Sequence, residues 1–341
     1  MAGLANWRRK NPILYRNKRK GVAEMFHIEV TTYCNQLCIF CYRNVVEKKM
    51  AAGQTIPEHE KLNQHMDFDL FQSLVIKIRN FSEKNNIPKN IIVHGLGEPV
   101  LWPHYKKGIQ MCRDLGFETQ LFTNGLFLTK EWCHFLLENI TEKLKVSVNG
   151  LTGETLEAVT KTRRSRRTID NCRMLVRVAR EKKTRPRQII FGFVKCKENE
   201  HEVEEFRKLW EKDRDIVDVM TPNAINFDVE KATASPDVRG VCPAGIGPAR
   251  LRVVIDGTLH PCCHTNELVL GDLKKQSIDE CLEGPMFKKL LSLNQQGRLG
   301  MEPICNVTCL AGSRKYSEGR QRRGGLRRAF RGLHRACDIF R

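Results

Sequence analysis

Apolar residues recur along this chain with two periods that take turns. Phe26-His27-Ile28-Glu29-Val30 alternates every second residue, as a strand does. Phe68, Phe71, Leu74, Val75, Ile78 and Phe81 then fall three or four apart, as one face of a helix does, with Asp67 or Asp69 as its cap. The exchange continues with strands expected over 90–94, 118–122, 143–148, 187–194 and 216–220. Between them the spacing predicts helices over 105–115, stopped by Gly116, and over 130–138, 168–181 and 200–210. Residues 42–66 are polar without a clear period and read as a loop or short helix over the site. Strand–helix alternation repeated about six times predicts a parallel sheet covered by helices. Such sheets carry their chemistry on the loops after the strands' carboxyl ends. Four distinctive loops fall there: a cysteine-bearing loop after the first strand, Gly95-Leu96-Gly97-Glu98-Pro99 after the second, Thr123-Asn124-Gly125 after the third and Ser147-Val148-Asn149-Gly150 after the fourth. One rim gathers them.

The pattern changes after residue 240. Arg250 to Ile255 and Thr258 to Cys262 alternate around Asp256-Gly257, a strong hairpin signal. Leu270 to Leu273 and short amphipathic helices from Ser277 to Leu293 follow. At the end Leu326, Ala329, Phe330, Leu333, Cys337 and Phe340 lie three or four apart among arginines, a basic amphipathic helix. The chain therefore divides into a basic arm over 1–23, a core domain over 24–235, a smaller domain over 236–312 and a basic tail over 313–341.

Charge sharpens that division. The net charge of +19 is concentrated in residues 1–23, 161–187 and 314–341, which together carry +25, while the remainder carries −6. Three basic patches on a near-neutral body suit an anionic membrane or a nucleic acid, and they are equally what solvated basic surfaces look like. A tail that packs its apolar stripe back on the core is the competing reading of the last patch. No apolar run approaches the roughly 18 residues of a membrane span, and the first residues hold no apolar signal segment. Fourteen cysteines without an export signal argue for a reducing, cytoplasmic setting and for metal ligation.

The cysteines supply the chemistry. Cys34, Cys38 and Cys41 stand in the spacing C-x3-C-x2-C on the loop after the first strand. Three thiolates on one loop can bind three irons of a 4Fe–4S cube and leave the fourth open to an external ligand. A structural zinc would use four ligands and a disulfide two. The spacing, with the aromatic Phe40 before the last cysteine, resembles the signature of radical S-adenosylmethionine (SAM) enzymes. The resemblance implies an α/β fold, a partial (β/α)6 barrel of radical SAM type. It implies that Cys34, Cys38 and Cys41 hold the SAM-binding cluster, with Phe40 beside the cofactor. Gly95, Gly97, Glu98 and Pro99 resemble the family's glycine–glycine–glutamate–proline turn, which pairs with the SAM amino group. Glycines let backbone approach a ligand, and a carboxylate complements an ammonium. Leu96 between the glycines leaves open which glycine fills which place. Ser147 and Asn149 stand where the family shows polar residues near the ribose hydroxyls, although Ser147 also reads as a satisfied polar residue on a strand. Arg163 or Arg164 is a partner for the SAM carboxylate, among arginines that mostly form a solvated face.

Cys242, Cys262, Cys305 and Cys309 form a second set, which alone could be structural zinc. Following such a barrel, C-x14-G-x4-C (Cys242, Gly257, Cys262) and then C-x3-C (Cys305, Cys309) resembles the auxiliary-cluster domain called SPASM, or its shorter twitch form. No cysteine lies between Cys281 and Cys305, so the C-x2-C pair of the full domain is absent and the one-cluster form fits better. The resemblance thus implies a small C-terminal auxiliary iron–sulfur cluster domain with a second 4Fe–4S cluster. Cys263 is a proton acceptor, an alternative ligand or a packed thiol. Cys112, Cys133, Cys172 and Cys196, on helices and a strand, share no spacing and read as small buried hydrophobes.

The resemblance also implies an activity. An electron donor such as flavodoxin or ferredoxin reduces the first cluster, and SAM is cleaved to a 5′-deoxyadenosyl radical that removes a substrate hydrogen atom. A two-electron oxidation of a sugar- or cyclitol-like small molecule is the leading expectation. Modification of a peptide or protein side chain and, on the basic patches alone, RNA modification are the alternatives. Oxidation to a carbonyl needs a base. His264, Glu267 and Arg163 are candidates for it.

Overall fold

A computed structural model describes residues 25–182, 184–222, 224, 242, 250–263 and 267–305. The basic arm, the amphipathic tail, His264 and Cys309 lie outside the described residues. The chain divides into two compact units, Ile28–Gln72 with Asn90–Ala224, and Met1–His27 with Ser73–Lys89 and Ile225–Arg341.

The first unit alternates as expected. Strand β1 (Phe26–Ile28) enters it at Ile28, followed by α1 (Tyr42–Ala51), the first turn of α2 (Phe68–Asn85), β2 (Asn90–Val93), α3 (Tyr105–Asp114), β3 (Glu118–Thr123), α4 (Lys130–Asn139), β4 (Lys143–Ser147), α5 (Gly153–Thr160), α6 (Arg167–Glu181), β5 (Gln188–Gly192), α7 (Val203–Leu209) and β6 (Asp218–Met220). The sheet runs β6-β5-β4-β3-β2-β1, and β2 through β6 pair in parallel. His94 N–H donates to the Ile28 carbonyl beside it at 2.9 Å. Asp67 Oδ1 caps α2, accepting from the Asp69 and Leu70 amides. Ile91, Val93, Leu121, Leu144, Val146, Ile189 and Phe191 are buried. Phe191 meets Trp210 edge-on, with ring centroids 4.5 Å apart. Each such side chain stabilises the fold by about 1.5–3 kcal/mol. Among the described residues no helix is long and apolar enough to cross a membrane.

Three local expectations change. The polar 42–66 stretch contains a full helix, α1, which buries only Arg43 and Val46 and so shows no apolar period. Helix α5 was not visible in the sequence, because eight residues with Leu156 and Val159 buried make a single i,i+3 pair. It is defined by its ends: the Thr152 side chain caps it and Lys161 closes it at φ 56°. Cys196 lies in the loop after β5 rather than on a strand, since Asn199 Oδ1 takes its amide and turns the chain there.

The second unit holds a small antiparallel sheet. The His27 amide donates to the Leu251 carbonyl, and β7 (Arg252–Val253), β8 (Thr258–His260) and β9 (Gly271–Asp272) pair in order. Asp256-Gly257 does mark the hairpin, but its loop has three residues. Gly257 N–H donates to Val254 O, Val254 N–H donates to Thr258 O, and Gly257 sits at φ 87°. That is a type I turn closed by a left-handed glycine, so the strands are shorter than the alternation implied. Helices α8 (Ile278–Glu283) and α9 (Pro285–Gln295) follow, then a turn, α10 (Pro303–Cys305). Ser277 and Glu280 form a full capping box on α8. Lys84 of α2 pairs with Asp279 at 2.8 Å.

One buried carboxylate organises the entry to α5. Glu202 is 3% exposed and accepts from the Leu151 amide at 2.6 Å, the Thr152 amide at 3.2 Å and the Thr152 hydroxyl at 2.7 Å. Burial alone would raise its pKa, but these donors outweigh burial and hold the carboxyl below its usual range. The stabilisation is therefore complete above the unfolded-state pKa and is lost as pH falls through the folded one. Glu202→Gln should cost about 1–3 kcal/mol in urea unfolding at pH 7. The two proteins should converge by about pH 3, near the foot of a carboxylate titration.

Candidate cluster and cofactor site

The cysteine loop is held from three sides. Before it, the Thr32 amide donates to the Gln64 carbonyl, and the Thr32 hydroxyl accepts from the Gln64 amide and donates to the Lys61 carbonyl. Across it, the Leu37 and Ile39 amides donate to the Thr160 and Val159 carbonyls, both at 2.9 Å, so the last turn of α5 supplies the loop's partners. Behind it, Gln36 Nε2 donates to Ser165 Oγ at 2.9 Å while Gln36 Oε1 accepts from Cys38 Sγ at 3.5 Å. Cys41 is the N-cap of α1, which sets a thiol at the positive end of a helix.

The GLGEP turn packs against the same strand. Gly97 N–H donates to Thr31 O at 3.0 Å and Glu98 N–H to Tyr33 O at 2.6 Å. A Cβ on Gly97 would fall 2.3 Å from Tyr33 O, and one on Gly95 would fall 2.2 Å from Glu29 Cγ. The glycines thus serve a close approach to residues 29–33, where the sequence suggested close approach to a ligand. Pro99 opens a short 3-10 turn and removes an amide there. Glu98 is 3% exposed; its oxygens accept from Thr123 Oγ1 at 2.6 Å and from the Asn124 amide at 2.7 Å. Asn124 Nδ2 in turn donates to Asn35 Oδ1 at 2.6 Å, inside the cysteine loop. A carboxylate keeps further lone pairs, so Glu98 can accept another donor.

The three thiols act on one another. Burial first, then Glu98 and Cys41, push Cys34 up to about 12, against the pull of the Gln36 amide and Arg43. Cys38 is raised by burial and then by Cys41 and Cys34, and Cys41 is raised by burial while the Arg43 amide and guanidinium pull it down. Arg43 is 5% exposed and reaches the Thr32 carbonyl and Asn63 Oδ1, so it is a fixed cation beside the thiols. Neither Arg43 nor the α5 carbonyls carried a sequence signal. One arginine in a polar stretch looks like surface until the fold buries it.

The second unit collects a second set. Cys305 is raised by burial, then by Cys262 and Cys242, while the Cys242 amide donates to Asn294 Oδ1 of α9 at 2.6 Å. Burial raises Cys263 as well, against the pull of the Arg250 and Arg252 cations. Cys112, Cys133 and Cys172 are fully buried. The remaining expectations scatter. Ser147 is half-buried at the end of β4, and Phe40 is half-exposed on the cysteine loop. Asn149 sits at φ 60° with Oδ1 accepting from the Val194 amide, so part of its side chain closes the rim. Arg163 is exposed and paired with Glu157 at 3.0 Å, and Arg164 and Glu267 are exposed.

The model of the Radical SAM superfamily matches residues 28–209, more than half of the chain. The chain belongs to that superfamily. A model described as an iron-sulfur cluster-binding domain, SPASM, matches residues 242–310. The tungsten-containing aldehyde ferredoxin oxidoreductase cofactor-modifying protein of Pyrococcus furiosus is 30% identical over 112 residues, which are 33% of this chain and 27% of that protein. The chain therefore matches about a quarter of that relative's length. Streptococcus suis SuiB bound to precursor peptide SuiA has the same fold, with TM-score 0.58 and 13% identity over 92% of this chain and 77% of that one. BtrN in complex with AdoMet and 2-DOIA aligns at TM-score 0.49 and 15% identity, over 83% of this chain and 91% of that one.

As a radical SAM enzyme with a SPASM domain, the protein uses SAM, a 4Fe–4S cluster and an auxiliary iron–sulfur cluster. The residues present fit these groups. Cys34, Cys38 and Cys41 offer three thiols on one loop, and Cys242, Cys262 and Cys305 offer three more in the second unit. Burial that opposes free thiolates favours thiolates once iron neutralises them.

Glu98 adds a pH signature. Burial, against the Thr123, Asn124 and Val100 donors, pushes its pKa up to about 7. A carboxyl raised on folding contributes stability that is fully present below its unfolded pKa and is lost as pH rises through the folded value. The iron-free chain should lose up to about 3 kcal/mol between pH 4.5 and pH 7 from this group. Glu98→Gln should flatten that decline in urea titrations, whatever fixed cost the substitution carries.

Proposed function

We propose that this radical SAM enzyme oxidises a small polyol, sugar- or cyclitol-like, by two electrons, converting an alcohol to a carbonyl with one auxiliary 4Fe–4S cluster. The observation that carries the reading is the thiol set of the second unit. Cys242 and Cys262 act electrostatically on Cys305, Arg250 and Arg252 act on Cys263, and the sequence offers Cys309 four residues after Cys305. Four thiolates close a cluster to exogenous ligands and suit it to carrying one electron.

Cys34, Cys38 and Cys41 would hold the first cluster, leaving one iron for SAM. When bound, SAM and that cluster supply a carbon-centred radical able to break an unactivated C–H bond. The chain's own residues do the rest. Arg43 and the helix end at Cys41 favour thiolate. Glu98, held by Thr123 and Asn124, would offer acceptor oxygens to the SAM ammonium, and Ser147 and Asn149 would be the polar partners of the ribose. Phe40 would lie beside the cofactor, and Arg163 or Arg164 would be the partner of its carboxylate.

Anaerobic reconstitution with iron, sulfide, SAM and dithionite tests the reading. About eight irons per chain are expected for two cubes. The triple variant Cys34→Ala, Cys38→Ala, Cys41→Ala should keep about four irons and make no 5′-deoxyadenosine. Cys305→Ala should also keep about four, and Cys263→Ala about eight. Myo-inositol or an amino sugar should return a product lighter by two hydrogens in mass spectra. Turnover of peptide but of no polyol would replace the substrate class, and 5′-deoxyadenosine from the triple variant would sink the cluster assignment.

A further inference from the structure

The neck of the cysteine loop is closed by one side chain. Arg43 stands two residues after Cys41, in the first turn of α1, and its Nη1 donates back to the carbonyl of Thr32, two residues before Cys34. All three thiols therefore lie on a segment that the guanidinium ties end to end. Thr32 is itself fixed, since Gln64 and Lys61 take up its amide and hydroxyl. Arg43 Nη2 donates to Asn63 Oδ1 at 3.1 Å, and Glu47, one helical turn on, pairs with it at 3.3 Å. A planar fork held at three points has one orientation.

That orientation leaves one donor over. Arg43 is 5% exposed, and its Nε is buried without a hydrogen-bond partner among the described residues. An N–H of a charged group withheld from both water and protein costs about 1–3 kcal/mol or more. The same cation pulls on the thiols of Cys34 and Cys41. A buried donor without an acceptor, beside thiols that would carry iron, marks a place for a cluster sulfur, which can accept it. Glu47 is the adjustable part. Its side chain is 35% exposed, and it opposes Arg43 at Cys41, so the charge felt by the loop is that of the pair.

We propose that Arg43 is the counter-ion of the first cluster: its Nε–H donates to a cluster sulfur, its positive charge stabilises the reduced state, and Glu47 tempers that charge. The inference rests on the assignment of Cys34, Cys38 and Cys41 as the ligands. A cube held by three thiolates carries net negative charge, and reduction adds one more electron to a desolvated space. That electron comes from an external one-electron donor, and no bond forms or breaks. A fixed cation favours the added charge and a hydrogen bond to sulfur spreads it, and both raise a cluster's reduction potential.

Redox titration of the reconstituted full-length protein, read by EPR, tests this. The signal to follow is the one that changes on adding SAM, which marks the cube with an open iron. At a fixed potential, Arg43→Met should lower its ratio of reduced to oxidised cluster about tenfold or more, a shift of about 59 mV. Arg43→Lys, which keeps the charge, should recover most of that loss. Glu47→Gln should move the ratio the other way, by about twofold or more. With arginine isotopically labelled at Nε, pulsed EPR should show a nitrogen coupling in this signal that Arg43→Lys removes. A purely structural arginine gives another pattern, in which variants lose iron and the first clusters that remain keep the wild-type ratio. That pattern, an unshifted ratio in Glu47→Gln, or a labelled protein without the coupling overturns the assignment. Should Arg43→Met hold no first cluster, the sign of the Glu47→Gln shift decides. A SAM-responsive signal that survives in the triple cysteine variant removes the ligand assignment instead, and this inference with it.

Discussion

The site depends on the close pairing of two backbone segments, Thr31 to Tyr33 and Gly97-Glu98. Two hydrogen bonds join them, and a methyl group on Gly97 would overlap the Tyr33 carbonyl. On the other edge of the same segment, Gln64 and Lys61 take up Thr32. The cysteines thus leave a backbone that is hydrogen-bonded on both sides, and the loop inherits that rigidity. Because Glu98 follows Gly97 directly, the contact that places the thiols also buries the carboxylate beside them.

That burial sets the site's electrostatics. Three thiols, a carboxyl and one guanidinium share a desolvated space, where Glu98 and the neighbouring thiols raise Cys34 and Cys38 beyond the effect of burial. Left to itself the arrangement favours protonated, neutral groups. A cluster of iron cations reverses the sign, so metal loading and the ordering of the loop support one another. Glu202 shows the opposite outcome, since its donors outweigh desolvation.

Glu98, Thr123 and Asn124 meet at the carboxyl ends of neighbouring parallel strands, as expected of a sheet that keeps its floor for packing and its carboxyl ends for chemistry.

Much of this protein was legible in its sequence. Hydrophobic period located nearly every strand and long helix of the first unit, because burying one face requires the same spacing whatever the neighbours are. Cysteine spacing identified the cluster chemistry, because local spacing fixes what one loop can ligate. The sequence could not show α5 or the role of Arg43. An eight-residue helix has too few apolar positions to reveal a period, and a buried arginine reads like an exposed one until its partners are known. Nor could it show that Gly95 and Gly97 answer to Glu29 and Tyr33, or that Arg163 pairs with Glu157. Those facts depend on which strands become neighbours and in what register, and only the assembled tertiary structure decides that.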